Sequence, residues 1–309
     1  MNTETSKKPN VNLIKGQTIK GKWHHHSYYV IRKLGSGAIG TVYLCVHHNQ
    51  QVALKVSKQS TSISSEVNVL KGFKKVQGHH LGPSLIDVDD FIAPNGHVYA
   101  FYVMEYISGD SLPDFIRRNG QDRLFTLLMG FVKDLDMLHR QGYVFGDLKL
   151  DNLIVSRNPV RLRWVDVGGT TLIGRSIKEY TEFYDRAYWQ MGTRRAEPSY
   201  DLFALAMVVL RIYYPNGFTK GSNPKKILQQ KINLAISSPS IKQLLLKMIS
   251  GEITEANQVK DFLVHYFTRE KRKRRGATKR NDEHYYPLLE ILSILTISGG
   301  CYLYMTLFM

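Results

Sequence analysis

Four short stretches of the chain hold residues whose types and spacing suit phosphoryl transfer. Between Gly142 and Val155, a carboxylate at Asp147, an ammonium at Lys149 and a carboxamide at Asn152 share one segment flanked by an apolar helix and an apolar strand. A carboxylate can take a proton from an attacking hydroxyl, an ammonium can neutralise the moving phosphoryl group, and a carboxamide oxygen can ligate Mg2+. In such chemistry, positioning supplies the rate. Taken alone, Asp-Leu-Lys-Leu-Asp-Asn also reads as a polar turn capping a strand. Its companions decide between the two. Trp164-Val165-Asp166-Val167-Gly168 puts a second carboxylate at the end of an apolar run, before a glycine that permits a sharp turn. Upstream lie Gly35-Ser36-Gly37-Ala38-Ile39-Gly40 and then Val52-Ala53-Leu54-Lys55. Small residues let backbone lie close over a phosphate chain, and the lysine supplies a cation for it.

The elements needed to position these groups follow from periodicity. Tyr28–Ile31, Val42–Val46 and Val52–Val56 are short strand-like runs separated by turn-like pieces, as in an antiparallel meander. The glycine-rich turn therefore joins two strands and does not open a helix, which argues against a dinucleotide-binding unit. Ser60-Thr61-Ser62 is expected to cap a helix carrying Glu66, the only acidic residue between Lys55 and Asp87 and so the nearby carboxylate able to pair with Lys55. Two more strands are expected at Ser84–Asp89 and Val98–Met104, then a hinge at Glu105–Gly109. Beyond it the period becomes helical, in a short helix around Leu112 to Ile116 and a long one from Leu124 to His139. Asp201–Leu210 is apolar nearly all round, as suits a central buried helix. Further helices are expected near Ile241–Ile249 and Ala256–Phe267.

Composition bounds the class. With 309 residues and 43% apolar side chains the chain can bury a large two-lobed core, which excludes a disordered protein. Two cysteines, Cys45 and Cys301, give no disulfide framework and suit a reducing compartment. Met1–Asn10 is polar and carries no secretory signal. His24-His25-His26, His47-His48 and His79-His80 invite a metal reading, but with no carboxylate or cysteine at ligand spacing they read as surface or strand-edge residues. The formal charge is +16, and eight Lys or Arg against one Glu in Arg269–Arg280 concentrate +7 of it. Leu288–Met309 follows, with the single charge Glu290. As a helix at about 1.5 Å per residue it spans about 33 Å, enough for a hydrocarbon core of about 30 Å. The basic run on its N-terminal side sets the preceding domain in the cytosol, with nothing substantial outside.

The ordered motifs over residues 28 to 268 resemble a Hanks-type (eukaryotic-like) Ser/Thr protein kinase. The resemblance implies an α+β, bilobal fold with a small antiparallel β lobe carrying one helix and a larger helical lobe. It implies ATP and Mg2+ as cofactors and Ser/Thr-bearing proteins as substrates. By the same resemblance, Gly35, Gly37 and Gly40 cover the phosphates, Lys55 binds two of them, and Glu66 holds Lys55. Val42 and Ala53 roof the adenine, Ile154 lies beneath it, and backbone groups of Glu105 and Ile107 meet its edge. Asp147 is the base, Lys149 contacts the transferred phosphate, Asn152 and Asp166 bind the metal, and Asp201 supports the catalytic loop. The layout is then a flexible lead-in (1–27), a small lobe (28–104), a hinge (105–109), a large lobe (110–268), a basic segment (269–287) and an anchor (288–309).

Departures from the family pattern are informative. Phe145-Gly146-Asp147 stands where His-Arg-Asp is usual, removing the arginine that would grip an activation-loop phosphate. Asp166-Val167-Gly168 shrinks the usual Phe. Ala196-Glu197-Pro198 is close in composition to the usual Ala-Pro-Glu but lies only three residues before Asp201, and no arginine between Ser250 and Val259 pairs with its Glu. A shortened activation segment accounts for both losses, and Gly192-Thr193 would face the substrate. The tail resembles that of short membrane-anchored family members from spore-forming Bacilli, which implies a sporulation setting and a nucleic-acid ligand. For Lys271, Arg272, Lys273, Arg274 and Arg275, three roles compete: setting topology, attracting anionic lipid, and binding DNA without regard to sequence, with self-association on the DNA. A kinase-fold scaffold without activity and a small-molecule phosphotransferase are the alternative functions.

Overall fold

The computed structural model describes residues 11–37, 40–74 and 82–308, the side chains of 74, 274–289 and 308 apart. The chain divides into two compact units, one ending at Lys260 and the other starting at Asp261.

The small lobe is built on a six-stranded antiparallel sheet in the order β1-β2-β3-β4-β6-β5. Its strands are β1 (Thr18–Lys20), β2 (Ser27–Ser36), β3 (Thr41–His47), β4 (Gln50–Ser57), β5 (Leu85–Ile92) and β6 (Val98–Glu105), with helix α1 (Ser60–Lys74) between β4 and β5. Alternation along β4 divides its side chains between two faces. Val52, Leu54 and Val56 go to an apolar cluster with Tyr28, Val30, Cys45, Phe101 and Val103, while Lys55 takes the opposite direction, toward α1. Cys45 is buried there, and burial pushes its thiol up to about 12, so it is an inert apolar filler. The two-strand joint at the glycine turn and the strands on either side of it match the sequence reading.

The expected flexible lead-in through residue 27 does not hold from residue 11 onward. Leu13 and Ile19 are buried in the sheet's core, Gly16 N–H donates to the Val30 carbonyl, and Tyr43 O–H donates to the Val11 carbonyl. One buried Ile in an otherwise polar triplet gives too little alternation to mark a strand from sequence.

The larger lobe follows β7 (Gly109–Ser111): α2 (Leu112–Asn119), α3 (Asp122–Arg140), β8 (Tyr143–Val144), β9 (Leu153–Arg157), β10 (Val160–Trp164), β11 (Thr171–Leu172), α4 (Pro198–Tyr213), α5 (Pro224–Ala235) and α6 (Pro239–Ser250); α7 (Ala256–Phe308) begins in the first unit and makes up the second. Every residue from Ser199 to Leu210 is buried, so α4 is the axis of this lobe, as its all-round apolar sequence requires. Helix α5 escaped the sequence reading although Asn223 caps it and Pro224 opens it. β9 pairs with both β10 and β7. The expected hinge is thus narrower than 105–109, since Glu105 ends β6 and Gly109 already starts β7. Trp164, at the end of β10, packs among Phe73 of α1, Phe131 of α3 and Phe145. That aromatic cluster joins the helix of the small lobe to the segment carrying Asp147.

Helix α7 continues past its expected end at Phe267. Its Glu290–Leu307 stretch has a mean hydropathy of 1.3 and is 0% buried, and among the described residues no other helix is long and apolar enough to cross a membrane.

Candidate active site

The β4 register places Lys55 opposite Tyr102 on β6, and side chains directly across an antiparallel pair share a face. Both reach Glu66 on α1. Lys55 Nζ donates to Glu66 Oε1 at 2.9 Å and lies 2.8 Å from Oε2, while Tyr102 O–H donates to Oε2 at 2.6 Å. Lys55 also donates to Asp166 Oδ1 at 3.1 Å. Burial favours the neutral amine form of Lys55, but Asp166 and then Glu66 outweigh it and hold the ammonium above its ordinary range. Asp166 shows the converse: burial raises it, yet Lys55 and the Gly168 N–H hold the carboxylate below its ordinary range. Lys55 and Asp166 are therefore charged across the neutral range, joined on a face that opens to the cleft.

The second group forms on the segment after β8. Lys149 Nζ donates to Asp147 Oδ2 at 2.6 Å, and Asn152 Nδ2 donates to the Asp147 carbonyl at 2.8 Å and to Oδ2 at 3.1 Å. With its amide nitrogen so used, Asn152 has Oδ1 for a cation. Burial pushes the Asp147 carboxyl above the ordinary carboxylate range against the pull of Lys149 and Asn152. Behind this segment, fully buried Asp201 accepts from the N–H groups of Phe145 at 2.7 Å and Gly146 at 2.9 Å, and faces His139 Nε2 at 2.9 Å. This cradle fixes the backbone leading into Asp147. It also explains the glycine where an arginine is usual. Gly146 has a φ of +80°, and a Cβ there would stand 2.5 Å from the Gly169 carbonyl oxygen, so the backbone after Asp166 closes directly on position 146.

Both groups border one cleft of about 1090 Å³ between the lobes. Gly35, Gly37, Gly40, Val42, Ala53, Lys55, Glu105, Ile107, Lys149, Asn152, Ile154 and Asp166 all line it. Glu66 stands behind Lys55, out of the cleft, and Asp147 is nearly covered by Lys149 and Asn152. Glu105 is fixed by a two-pronged contact with Arg163 of β10, at 2.6 and 3.0 Å. Glu179, Thr181 and Tyr184 from the stretch after Asp166 also line the cleft. Glu179 is held above the ordinary carboxylate range by burial and by the charge of Asp147. Of the basic run, Lys271, Arg272 and Lys273 are exposed, whereas Arg274 and Arg275 lie outside the described side chains.

The stretch from Asp166 to Glu197 corrects one expectation. Glu197 has not lost its partner, because Arg186, eleven residues earlier, ion-pairs with it. The same guanidinium donates to the Thr193 carbonyl at 2.6 Å and to Ser199 Oγ at 2.8 Å. Next to it, fully buried Asp185 accepts from Arg194 Nε at 2.9 Å, Tyr200 O–H at 3.1 Å and the Tyr188 N–H at 3.1 Å. Gly192 and Thr193 pack on Arg186, so the Thr193 carbonyl serves the segment's own tie.

A protein kinase domain model matches residues 28–286. The chain belongs to the protein kinase family. Serine/threonine-protein kinase YabT of Bacillus subtilis (strain 168) is 47% identical over 246 residues, which cover 79% of this chain and 73% of that protein. Sporulation protein kinase mde3 of Schizosaccharomyces pombe is 27% identical, over 70% of this chain but only 42% of that protein. The structure of vaccinia related kinase 3 superposes with a TM-score of 0.62 over 84% of this chain and 93% of that one; at 15% identity the likeness is one of fold. The enzyme class is serine/threonine protein kinase, and the kinase fold accounts for the two lobes and the cleft between them.

Proposed function

We propose that this kinase transfers the γ-phosphoryl group of ATP to Ser and Thr hydroxyls of proteins from the cytoplasmic face of a membrane to which its C-terminal helix anchors it. The observation that carries the reading is that Lys55 and Asp166, with Glu66 behind them, face Lys149 and Asn152, with Asp147 beneath them, along one cleft. A scaffold without activity commonly lacks one of them. Val42, Ala53 and Ile154 offer apolar surface to the adenine, Glu105 and Ile107 flank its edge, and Gly35, Gly37 and Gly40 run over the phosphates. Lys55 binds the phosphates and Glu66, itself held by Tyr102, keeps Lys55 extended. Asp147 orients the substrate hydroxyl and takes its proton as the bond to phosphorus forms. Lys149 stands beside the transferred group. Mg2+, which the donors of Asn152 and Asp166 suit, would neutralise charge on the phosphates when bound.

Lys149 lowers the proton affinity of Asp147, so its removal has a signed consequence. In Lys149→Met, turnover should fall by about 100-fold or more, as for other lost transition-state donors. The acid limb of kcat/KM should also move to higher pH, because the carboxylate loses the cation that favours its charged form. A pH–rate profile checks this, and an unmoved limb would remove Asp147 as the titrating base.

For the anchor, the support is energetic. Ile291, Leu292, Ile294, Leu295, Leu303 and Leu307 are all exposed on α7, and each such side chain leaves about 1.5–3 kcal/mol of burial unrealised in water. A bilayer realises it over the full 288–309 stretch, with the 28–268 domain and the 269–287 segment on the side of the positive charges. The full chain should sediment with membranes, resist high-salt extraction and yield its kinase domain to protease only from the cytoplasmic side. Recovery as a freely soluble protein would refute the anchor.

The run Lys271, Arg272, Lys273, Arg274 and Arg275 carries more charge than orientation needs, and we read it as a sequence-independent DNA site that gathers kinase molecules and raises activity. The sporulation setting rests on resemblance alone. Replacing the five residues by Ala in the detergent-solubilised chain should abolish both DNA binding and any stimulation of activity by DNA. Unchanged binding with the same salt slope would put the site elsewhere.

A further inference from the structure

The histidines near the start of the chain acquire a carboxylate partner only in three dimensions. The turn between β1 and β2 folds over the start of β5, with the Lys22 N–H donating to the Asp90 carbonyl at 2.7 Å and the Trp23 and His24 N–H groups donating to the Asp89 carboxylate. A Cβ on Gly21 would stand 2.2 Å from Asp89 Oδ2, so the turn is shaped to this contact. In the same turn, His24 Nδ1 lies 2.7 Å from Asp87 Oδ1 and His26 Nδ1 lies 3.0 Å from Asp87 Oδ2. His25 between them has a φ of +58°, a conformation that non-glycine residues hold only where the surroundings over-determine it. Two carboxylates are thus sunk at this edge, with side-chain exposures of 8% for Asp87 and 0% for Asp89. Among the described residues neither has a Lys or Arg ion partner.

We propose that His24, His26 and Asp87 form a binding site for a divalent transition ion of the Zn2+ class, which staples the β1–β2 turn to β5. Their donor atoms all lie within 4.8 Å of one another. A tetrahedral Zn2+ with ligands at about 2.1 Å needs donors about 3.4 Å apart, within reach of side-chain rotation. Two imidazoles and one carboxylate favour Zn2+ over Mg2+ or Ca2+, which take oxygen donors. The outer shell is in place. Buried Tyr28 donates its O–H to Asp87 Oδ2 at 2.5 Å, orienting the carboxylate. His47 packs 5.2 Å from the His26 ring, with Nδ1–H donated to the Ser27 carbonyl at 3.0 Å. Both ligand imidazoles are about half exposed, so an ion and a completing water can enter from solvent.

The test uses the full chain without a polyhistidine tag, in neutral detergent, stripped with a chelator and free of nucleotide. Titration with Co2+ should give visible bands of a low-coordinate site that saturate at one equivalent and are displaced by Zn2+, and Zn2+ should raise the melting temperature. Removal of outer-shell partners typically weakens a site by about 10–100-fold; Tyr28→Phe should do that, and His24→Ala or His26→Ala should cost more than about 100-fold. Each of these variants also takes a hydrogen bond from buried Asp87, so each is compared with its own stripped form, and the rise in melting temperature on adding Zn2+ should be lost in His24→Ala and His26→Ala. Asp166→Asn should keep the bands. Bands that survive in His26→Ala, bands lost in Asp166→Asn, or no Co2+ binding by the wild type in the micromolar range would each overturn the proposal. The imidazoles would then be only hydrogen-bond donors to Asp87.

Discussion

Asp147→Asn should abolish most phosphoryl transfer and leave the fold intact. The amide keeps the size of the carboxylate and can still meet Lys149 and Asn152, so the cradle made by Asp201 and the N–H groups of Phe145 and Gly146 stays filled. What it loses is the ability to take the hydroxyl proton, for which a loss of at least about 100-fold is expected. Phosphate incorporation into a protein substrate measures the loss, and the melting temperature measures the fold. Lost activity with an unchanged melting temperature is the expected pair. Activity within a few-fold of wild type would withdraw the catalytic assignment.

The second large effect is expected at Arg186. Arg186→Ala removes one guanidinium that serves Thr193, Arg195, Ser199 and Glu197 together. Hydrogen bonds to charged groups contribute about 1.5–3 kcal/mol each, and they do not add. The carboxylate left behind is 41% exposed, so water recovers part of the loss. A net cost of about 2–3 kcal/mol follows, or about 4–12 °C in melting temperature at 2–4 °C per kcal/mol. Activity should fall because the segment whose Glu179, Thr181 and Tyr184 line the cleft is no longer held. Arg186→Lys should recover little, since an ammonium cannot reproduce the planar fork. Phosphatase-treated wild type should stay active, because Arg186 and Asp185 order the segment without a phosphate. Full activity in Arg186→Ala together with phosphatase inactivation of the wild type would reverse this account.

These two sites differ in how far sequence reaches them. The cleft was readable because its groups sit in short segments of fixed order, and Glu66 could be paired with Lys55 by elimination. Tyr102 was not readable. Its place beside Glu66 depends on the register that sets it opposite Lys55, and a one-residue slip would send it to the other face. Arg186 and Glu197 lie in irregular backbone, where no period announces a contact, so the absence of the familiar arginine beyond Ser250 was legible but its substitute was not. His24, His26 and Asp87 show the same limit across sixty residues of sequence. Ligand spacing along the chain was wrong for a metal, and only the fold of the turn over β5 brings the carboxylate between the imidazoles. The start of the domain failed for a simpler reason, since β1 offers a single buried side chain.

The most direct test of the central claim is to follow the γ-phosphoryl group. The full chain, in detergent with Mg2+ and γ-labelled ATP, is given a generic protein substrate together with small hydroxyl-bearing metabolites, and the label is located by mass spectrometry. The account predicts label on Ser and Thr of protein, lost in Asp147→Asn and in Lys55→Ala. Label confined to a small molecule, or nucleotide binding with no label transferred to protein, would contradict it.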